Sequence, residues 1–171
     1  MAYHGEWAGR WEDYLVRDVV PWVDAHLPTI PSRAGRALAG VSAGGYGAVD
    51  IGLRHPGLFA TLESWSGYFK PFHDGPLEHA DARVLAAHDP SILVRREAPF
   101  LRTLGTRFYL SCGSTADHRT AALAIAFARE LDALRLPREL YLRPGAHNGH
   151  FWLAQFPEAL RYALPDGGPP V

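Results

Sequence analysis

Ala39-Gly40-Val41-Ser42-Ala43-Gly44-Gly45-Tyr46-Gly47-Ala48 is the stretch on which the rest of the chain is organised. The apolar run Arg36 to Val41 leads into it, and Val49 to Arg54 continues it as a helix. Gly40-Val41-Ser42-Ala43-Gly44 is therefore G-x-S-x-G between a strand and a helix. The reason for the glycines is steric: the serine sits at a strained turn, and strand and helix must pack closely around it. Such a turn lifts the Ser42 hydroxyl clear of the sheet, toward the positive end of the following helix. The backbone N–H of Ala43 then faces the oxygen that becomes negative when a hydroxyl adds to a carbonyl. A glycine-rich turn without chemistry carries the same five letters, so the remainder of the chain has to arbitrate.

With 171 residues, 47% hydrophobic and 20% charged, the chain suits one globular domain, 1–171, with a real core. A net charge of −1 argues against nucleic acid or an anionic membrane as partner, and Arg95-Arg96 is too short for a binding patch. Cys112 is the sole cysteine, which excludes an internal disulfide and a zinc–thiolate cluster. Met1-Ala2-Tyr3-His4-Gly5-Glu6 has no leader character and no apolar run is long enough to span a bilayer, so a cytoplasmic location is expected.

Trp11 to His26 reads as an amphipathic helix, with Leu15, Val19, Trp22, Val23 and Leu27 at helical spacing and a kink or break at Pro21. Pro28 to Ser32 is a turn. After the Ser42 turn, the next helix ends near His55-Pro56-Gly57. Phe59 to Ser66 is a second strand, and Tyr68 to Glu78 is irregular. Asp81 to Ala87 and Ser91 to Glu97 read as short helices. Thr106 to Cys112 is a third strand, Arg119 to Leu136 a helix stopped by Pro137, and Arg138 to Arg143 a fourth strand. Phe151 to Leu164 is helical with an interruption near Pro157, and 165–171 reads as a loose tail. Strands alternating with helices imply parallel pairing through right-handed crossovers.

In an open parallel sheet, active groups collect past the carboxyl ends of the strands. There the first strand ends at Ser42, the third leads to Asp117 and the fourth to His147. Serine, acid, histidine is the order of an α/β-hydrolase. A serine hydroxyl needs a base to take its proton, an imidazole titrates near operating pH, and a carboxylate holds the imidazole in the right tautomer.

The chain here resembles the esterase D family of α/β-hydrolases, which includes S-formylglutathione hydrolases, feruloyl and acetylxylan esterases, enterochelin-type esterases and mycolyltransferases. The resemblance rests on Gly9-Arg10-Trp11-Glu12-Asp13-Tyr14-Leu15, on Gly40 to Ala48, on His55-Pro56-Gly57-Leu58-Phe59, on Ser64-Trp65-Ser66-Gly67, and on Pro144-Gly145-Ala146-His147 with Trp152. It runs from about Trp11 to Leu164. It implies a reduced α/β-hydrolase-like three-layer sandwich with a mainly parallel sheet of about four strands. It implies Ser42 as nucleophile, His147 as base, Asp117 as acid and the Ala43 N–H as oxyanion donor. The expected reaction is cleavage of short-chain acyl or aryl esters, with water as second substrate and neither cofactor nor metal. The departure is at the front, where family members carry further strands and a loop giving a second oxyanion N–H. A homo-oligomer covering the sheet edge left there is expected.

Several residues keep two readings. His150 is a second candidate base or a helix-start residue. Asp117 is the acid or only the N-cap of the next helix, with Asp74, Asp81 and Asp89 as back-ups. Ser66 follows a strand but lacks the preceding glycine of an elbow. Trp65, Tyr68, Phe69 and Trp152 line an acyl or aryl pocket or pack the core. Cys112 reads as a buried apolar residue, and His73, His79 and His88 as solvent-facing. An acyltransferase, a peptidase and a non-catalytic hydrolase-like binding module remain alternatives.

Overall fold

The computed structural model of the chain describes Trp7, residues 10–73 and residues 77–164. Gly9, Asp74 and the tail 165–171 lie outside the described residues. Helix α1 (Arg10–Asp13), a π-helical turn (Tyr14–Val19) and α2 (Val20–His26) form one unbroken helical run. Pro21 therefore does not break the helix. Its ring would meet the carbonyl of Arg17 in a regular α-helix. The turn before it widens instead, and the Val20 N–H bonds to Leu15 O, five residues back.

Strands β1 (Ala37–Val41), β2 (Thr61–Trp65), β3 (Arg107–Gly113) and β4 (Arg138–Arg143) pair in parallel in the order β1-β2-β3-β4. The crossover helices are α3 (Ala43–Arg54), α4 (Ala82–Ala87) with α5 (Pro90–Leu104), and α6 (His118–Ala133); α7 (Gly149–Ala163) follows β4. Right-handed crossovers stepping in one direction place their helices on one face of the sheet. On that face Leu62, Phe108, Leu110 and Cys112 meet Val49, Leu53, Leu93, Val94 and Phe127 in the main core, all at most 3% exposed. Each such side chain contributes roughly 1.5–3 kcal/mol by leaving water. Helix α7 covers the other face, with Tyr162 against Tyr109 and Phe151 against Tyr141. The result is three layers, as α/β chemistry of this kind requires.

Helix α5 is twice the length that its sequence suggests. Asp89 caps it by accepting from the Ser91 and Ile92 N–H groups, Pro90 opens it, and Gly105 at φ 63° ends it. Pro99 is carried inside the helix while Leu93, Val94, Ala98 and Leu101 are buried. Likewise α7 passes through Pro157 without interruption. Asp81 caps α4, accepting from Arg83 and Val84 N–H groups. Two of the three back-up acids, Asp81 and Asp89, thus serve helix ends.

Glu12 is bonded by Arg54 and by His55 Nε2, which ties the first helical run to α3. His88 is not solvent-facing: its Nδ1 lies 3.1 Å from Asp50 Oδ2, and Asp50 is 1% exposed and also paired with Arg54. His73 and His79 are exposed. No helix among the described residues is long and apolar enough to cross a membrane.

Candidate active site

Ser42 stands between β1 and α3 with φ 56° and ψ −117°, a strained conformation for a residue with a side chain. Its position is over-determined by three backbone bonds. Ser42 N donates to Trp65 O at 2.8 Å, and Ser42 O accepts from Gly45 N at 2.9 Å and Tyr46 N at 3.2 Å. Glycine is obligatory at residue 40, because a Cβ there would lie 2.1 Å from Gly44 O. The strained turn and the close approach of strand and helix are therefore one feature. Ala43 opens α3, so its N–H belongs to the first-turn donors that no carbonyl inside the helix can accept.

Asp117 and His147 come from the loops after β3 and β4, and these loops are stitched together. Thr115 Oγ1 bonds both Gly145 O and Gly145 N at 2.9 Å, Ala116 N donates to Gly145 O at 3.0 Å, and Ala116 pairs with Ala146 as an isolated bridge. A Cβ on Gly113 would lie 2.5 Å from Gly145 C, so this contact too depends on a glycine.

The three side chains converge. His147 Nε2 lies 3.0 Å from Ser42 Oγ, and His147 Nδ1 lies 3.1 Å from Asp117 Oδ2. An ionised carboxylate only accepts, so Nδ1 carries the proton, and Nε2 is left as an acceptor for the hydroxyl. Asp117 is 7% exposed and the His147 side chain 37%, so the carboxylate is sheltered and the imidazole is reachable. Asp117 does occupy the N-cap position of α6, but its carboxylate makes no capping bond. It faces His147 instead. His150 is exposed in the first turn of α7, where Asn148 supplies the cap.

Trp152 stands edge-on to the His147 ring, with centroids 5.2 Å apart, and its indole N–H donates to Ser66 Oγ at 3.1 Å. Ser66 is 1% exposed and has φ 51°. Its hydroxyl thus serves as a fixed acceptor under Trp152. The side chains of the other expected pocket residues are engaged elsewhere, although Trp65 meets Ser42 through its backbone O. Phe69 stacks on Phe127 at 4.1 Å in the core, Tyr68 stacks on Tyr46 at 4.9 Å, and Trp65 donates to Glu63 and meets Phe156. An open cleft of about 520 Å³ beside Ser42 is walled instead by Trp7, Leu15, Leu38, Ala43 and Gly47. Trp7 lies over Gly47, where a Cβ would come within 2.5 Å of the indole. The sequence signal for that wall is the glycine at 47, one turn beyond Gly44, which leaves room for a ring.

Burial also sets the chemistry of two groups nearby. It pushes the Cys112 thiol up to about 12, with Asp117 adding to the effect, so this cysteine is not a nucleophile near neutral pH. Glu63, 1% exposed between the sheet and α7, is pushed up to about 7 by burial, against the opposing effects of the Trp65 N–H and Arg107.

A family model described as "Putative esterase" matches residues 1–163. Esterase Rv1288 of Mycobacterium tuberculosis (strain H37Rv) is 39% identical over 58 residues, covering 34% of this chain and 13% of that protein. The fold is similar to that of FphF, fluorophosphonate-binding serine hydrolase F of Staphylococcus aureus, with a TM-score of 0.80 and 19% identity over 95% of this chain and 69% of that one. It is also similar to the S-formylglutathione hydrolase FrmB of Staphylococcus aureus, with a TM-score of 0.73 and 23% identity over 92% of this chain and 62% of that one. The chain thus spans a small part of the curated relative and about two thirds of these solved structures.

Proposed function

This chain belongs to the "Putative esterase" family, and on that premise we propose that it hydrolyses carboxylic esters of short acyl or aryl chains through an acyl-serine intermediate. The observation that carries the proposal is the chain of contacts from Ser42 Oγ to His147 Nε2 and from His147 Nδ1 to Asp117 Oδ2. Ser42 Oγ attacks the ester carbonyl carbon while His147 Nε2 takes its proton. Asp117 steadies the imidazolium, and the Ala43 N–H stabilises the oxyanion. His147 returns the proton to the departing alcohol. Water then repeats the sequence, giving its proton to His147 and releasing the acid and free Ser42. A single oxyanion donor of this kind is worth roughly 10²–10³ in rate.

The test is hydrolysis of p-nitrophenyl esters of graded chain length, with fluorophosphonate labelling followed by peptide mass spectrometry. Acetate and butyrate esters are expected to be cleaved faster than long-chain ones, and the label is expected on Ser42. No hydrolysis and no label would replace this reading by that of a non-catalytic binding module. Accumulation of an acylated alcohol in place of free acid would make the protein an acyltransferase.

Trp152 and Ser66 are assigned to positioning the base. Ser66→Ala removes the acceptor that holds the indole, and Trp152→Leu removes the edge contact with the imidazole. Each is expected to lower kcat about 3- to 10-fold with KM nearly constant, as for lost orientation without lost binding. An equal rise in KM would place these residues in substrate binding instead.

A further inference from the structure

Four polar side chains are sealed between the sheet and α7 with hydrogen-bonding atoms that no protein group meets. Trp65 touches Phe156 and Tyr109 touches Tyr162, so the odd-numbered residues of β2 and β3 face α7. Glu63 stands beside Tyr109 in the register, and Trp65 beside Ser111. The helix adds Gln155 to this layer, one residue before Phe156 and three after Trp152, whose indole is held by Ser66. Glu63, Tyr109, Ser111 and Gln155 are each at most 1% exposed. Among the described residues, Glu63 Oε1, the Tyr109 and Ser111 hydroxyls and both polar atoms of the Gln155 amide have no hydrogen-bond partner. Buried polar atoms in native proteins almost always have one, in the protein or in ordered water, because an unpaired atom loses its hydration without compensation.

We infer that Glu63, Tyr109, Ser111 and Gln155 form a binding site for internal water, which bridges β2 and β3 to α7. The four groups come from three elements that pack on one another, yet no hydrogen bond joins any two of them, so a bridging molecule is needed. Their chemistry selects that molecule. The Tyr109 and Ser111 hydroxyls both donate and accept, Gln155 Nε2 donates, and Gln155 Oε1 and Glu63 Oε1 offer lone pairs. Water answers such a mixed set, with two protons to give and two lone pairs to share; an ion of one sign does not. A cation would also need an ionised carboxylate, and burial raises the Glu63 carboxyl to about 7. The Trp65 indole N–H occupies Glu63 Oε2 at 3.0 Å, which leaves Oε1 as the oxygen that meets the water. Ala159, one turn beyond Gln155 and also fully buried, adds only a methyl group to the layer, so the helix does not fill it with a large side chain. Buried water of this kind makes about three hydrogen bonds to groups that would otherwise lack them and is costly to remove. The inference does not depend on the hydrolytic reading.

The test combines a high-resolution crystal structure of the wild type with oxygen-17 relaxation dispersion, which counts internal waters that stay longer than the protein takes to tumble. The same count and a urea midpoint are taken for Gln155→Met, which keeps the length of the side chain and removes both amide atoms. The expected result is at least one ordered water within hydrogen-bond distance of two or more of the four side chains. Gln155→Met is expected to lose at least one long-lived water and to unfold at lower urea, because the groups it leaves behind lose their link to α7. Direct bonds among the four side chains with no water between them overturn the proposal, as does an unchanged count. An unchanged or higher urea midpoint overturns it too, since deleting an amide that had no partner relieves the fold of a buried polar group. Contacts from oxygens only, shorter than hydrogen bonds, would mark a cation there and overturn it as well. If the variant does not fold, the wild-type structure decides alone.

Discussion

Ser42→Ala is expected to lower kcat for p-nitrophenyl acetate by about 10⁴-fold or more and to abolish fluorophosphonate labelling, because the group that forms the covalent bond is gone. His147→Ala should cost a similar factor, and the double variant should be no slower than either single one, since the two groups act as a unit. Asp117→Asn should cost about 10²–10⁴-fold, because an amide no longer holds Nδ1 in its protonated form. Steady-state rates for the four variants, with urea midpoints to show that each is folded, provide the check. A Ser42→Ala rate equal to that of the wild type would move the nucleophile elsewhere and end the esterase proposal as stated.

The second large effect is on stability and depends on pH. Glu63 is 1% exposed, and burial raises its carboxyl from 4.5 to about 7 in the folded chain. In the unfolded chain it titrates at its ordinary value. Between pH 4.5 and pH 7 the folded state therefore holds a proton that the unfolded state has released. Stability falls as pH rises through that window and levels off above it. The difference between the two values corresponds to about 3 kcal/mol. Glu63→Gln, which keeps the shape and is always neutral, should match the wild type at pH 4.5 and exceed it by about 3 kcal/mol at pH 8. Urea unfolding of both proteins across this range measures it, and parallel stability–pH curves would show that the carboxyl is not held neutral.

Much of the scaffold was legible because the signals were local. β4 runs from Arg138 to Arg143 as its alternation suggests, and β1 ends at Val41, one residue before Ser42. The order of Ser42, Asp117 and His147 could be read because each follows a strand in a parallel sheet. That these side chains touch could not be read, since the contact depends on Thr115 and Gly145 tying two loops together. Prolines misled at the helix level. Pro21 suggested a break where a π-turn absorbs it, and Pro99 hid the second half of α5, although Asp89-Pro90 and Gly105 marked both ends. Aromatic residues misled at the pocket level. Phe69 was a candidate wall of the site and lies instead against Phe127 in the core. Burial of an aromatic ring depends on tertiary partners, here α6, that composition does not reveal. For the same reason the sequence around His88 suggests a surface residue, while Asp50, far away in sequence, holds it.

The strand order has a consequence for biosynthesis. The hydroxyl and the imidazole stand 105 residues apart along the chain, and the imidazole hangs from the loop behind β4, the last of the four strands in sequence. On the ribosome, the serine elbow and three strands emerge before the histidine is made. A nascent polypeptide therefore displays its serine as an ordinary alcohol throughout most of translation. On the proposed mechanism the base reaches Ser42 only once the loop after β4 is in place, so a chain that ends before His147 is expected to leave Ser42 unreactive toward esters.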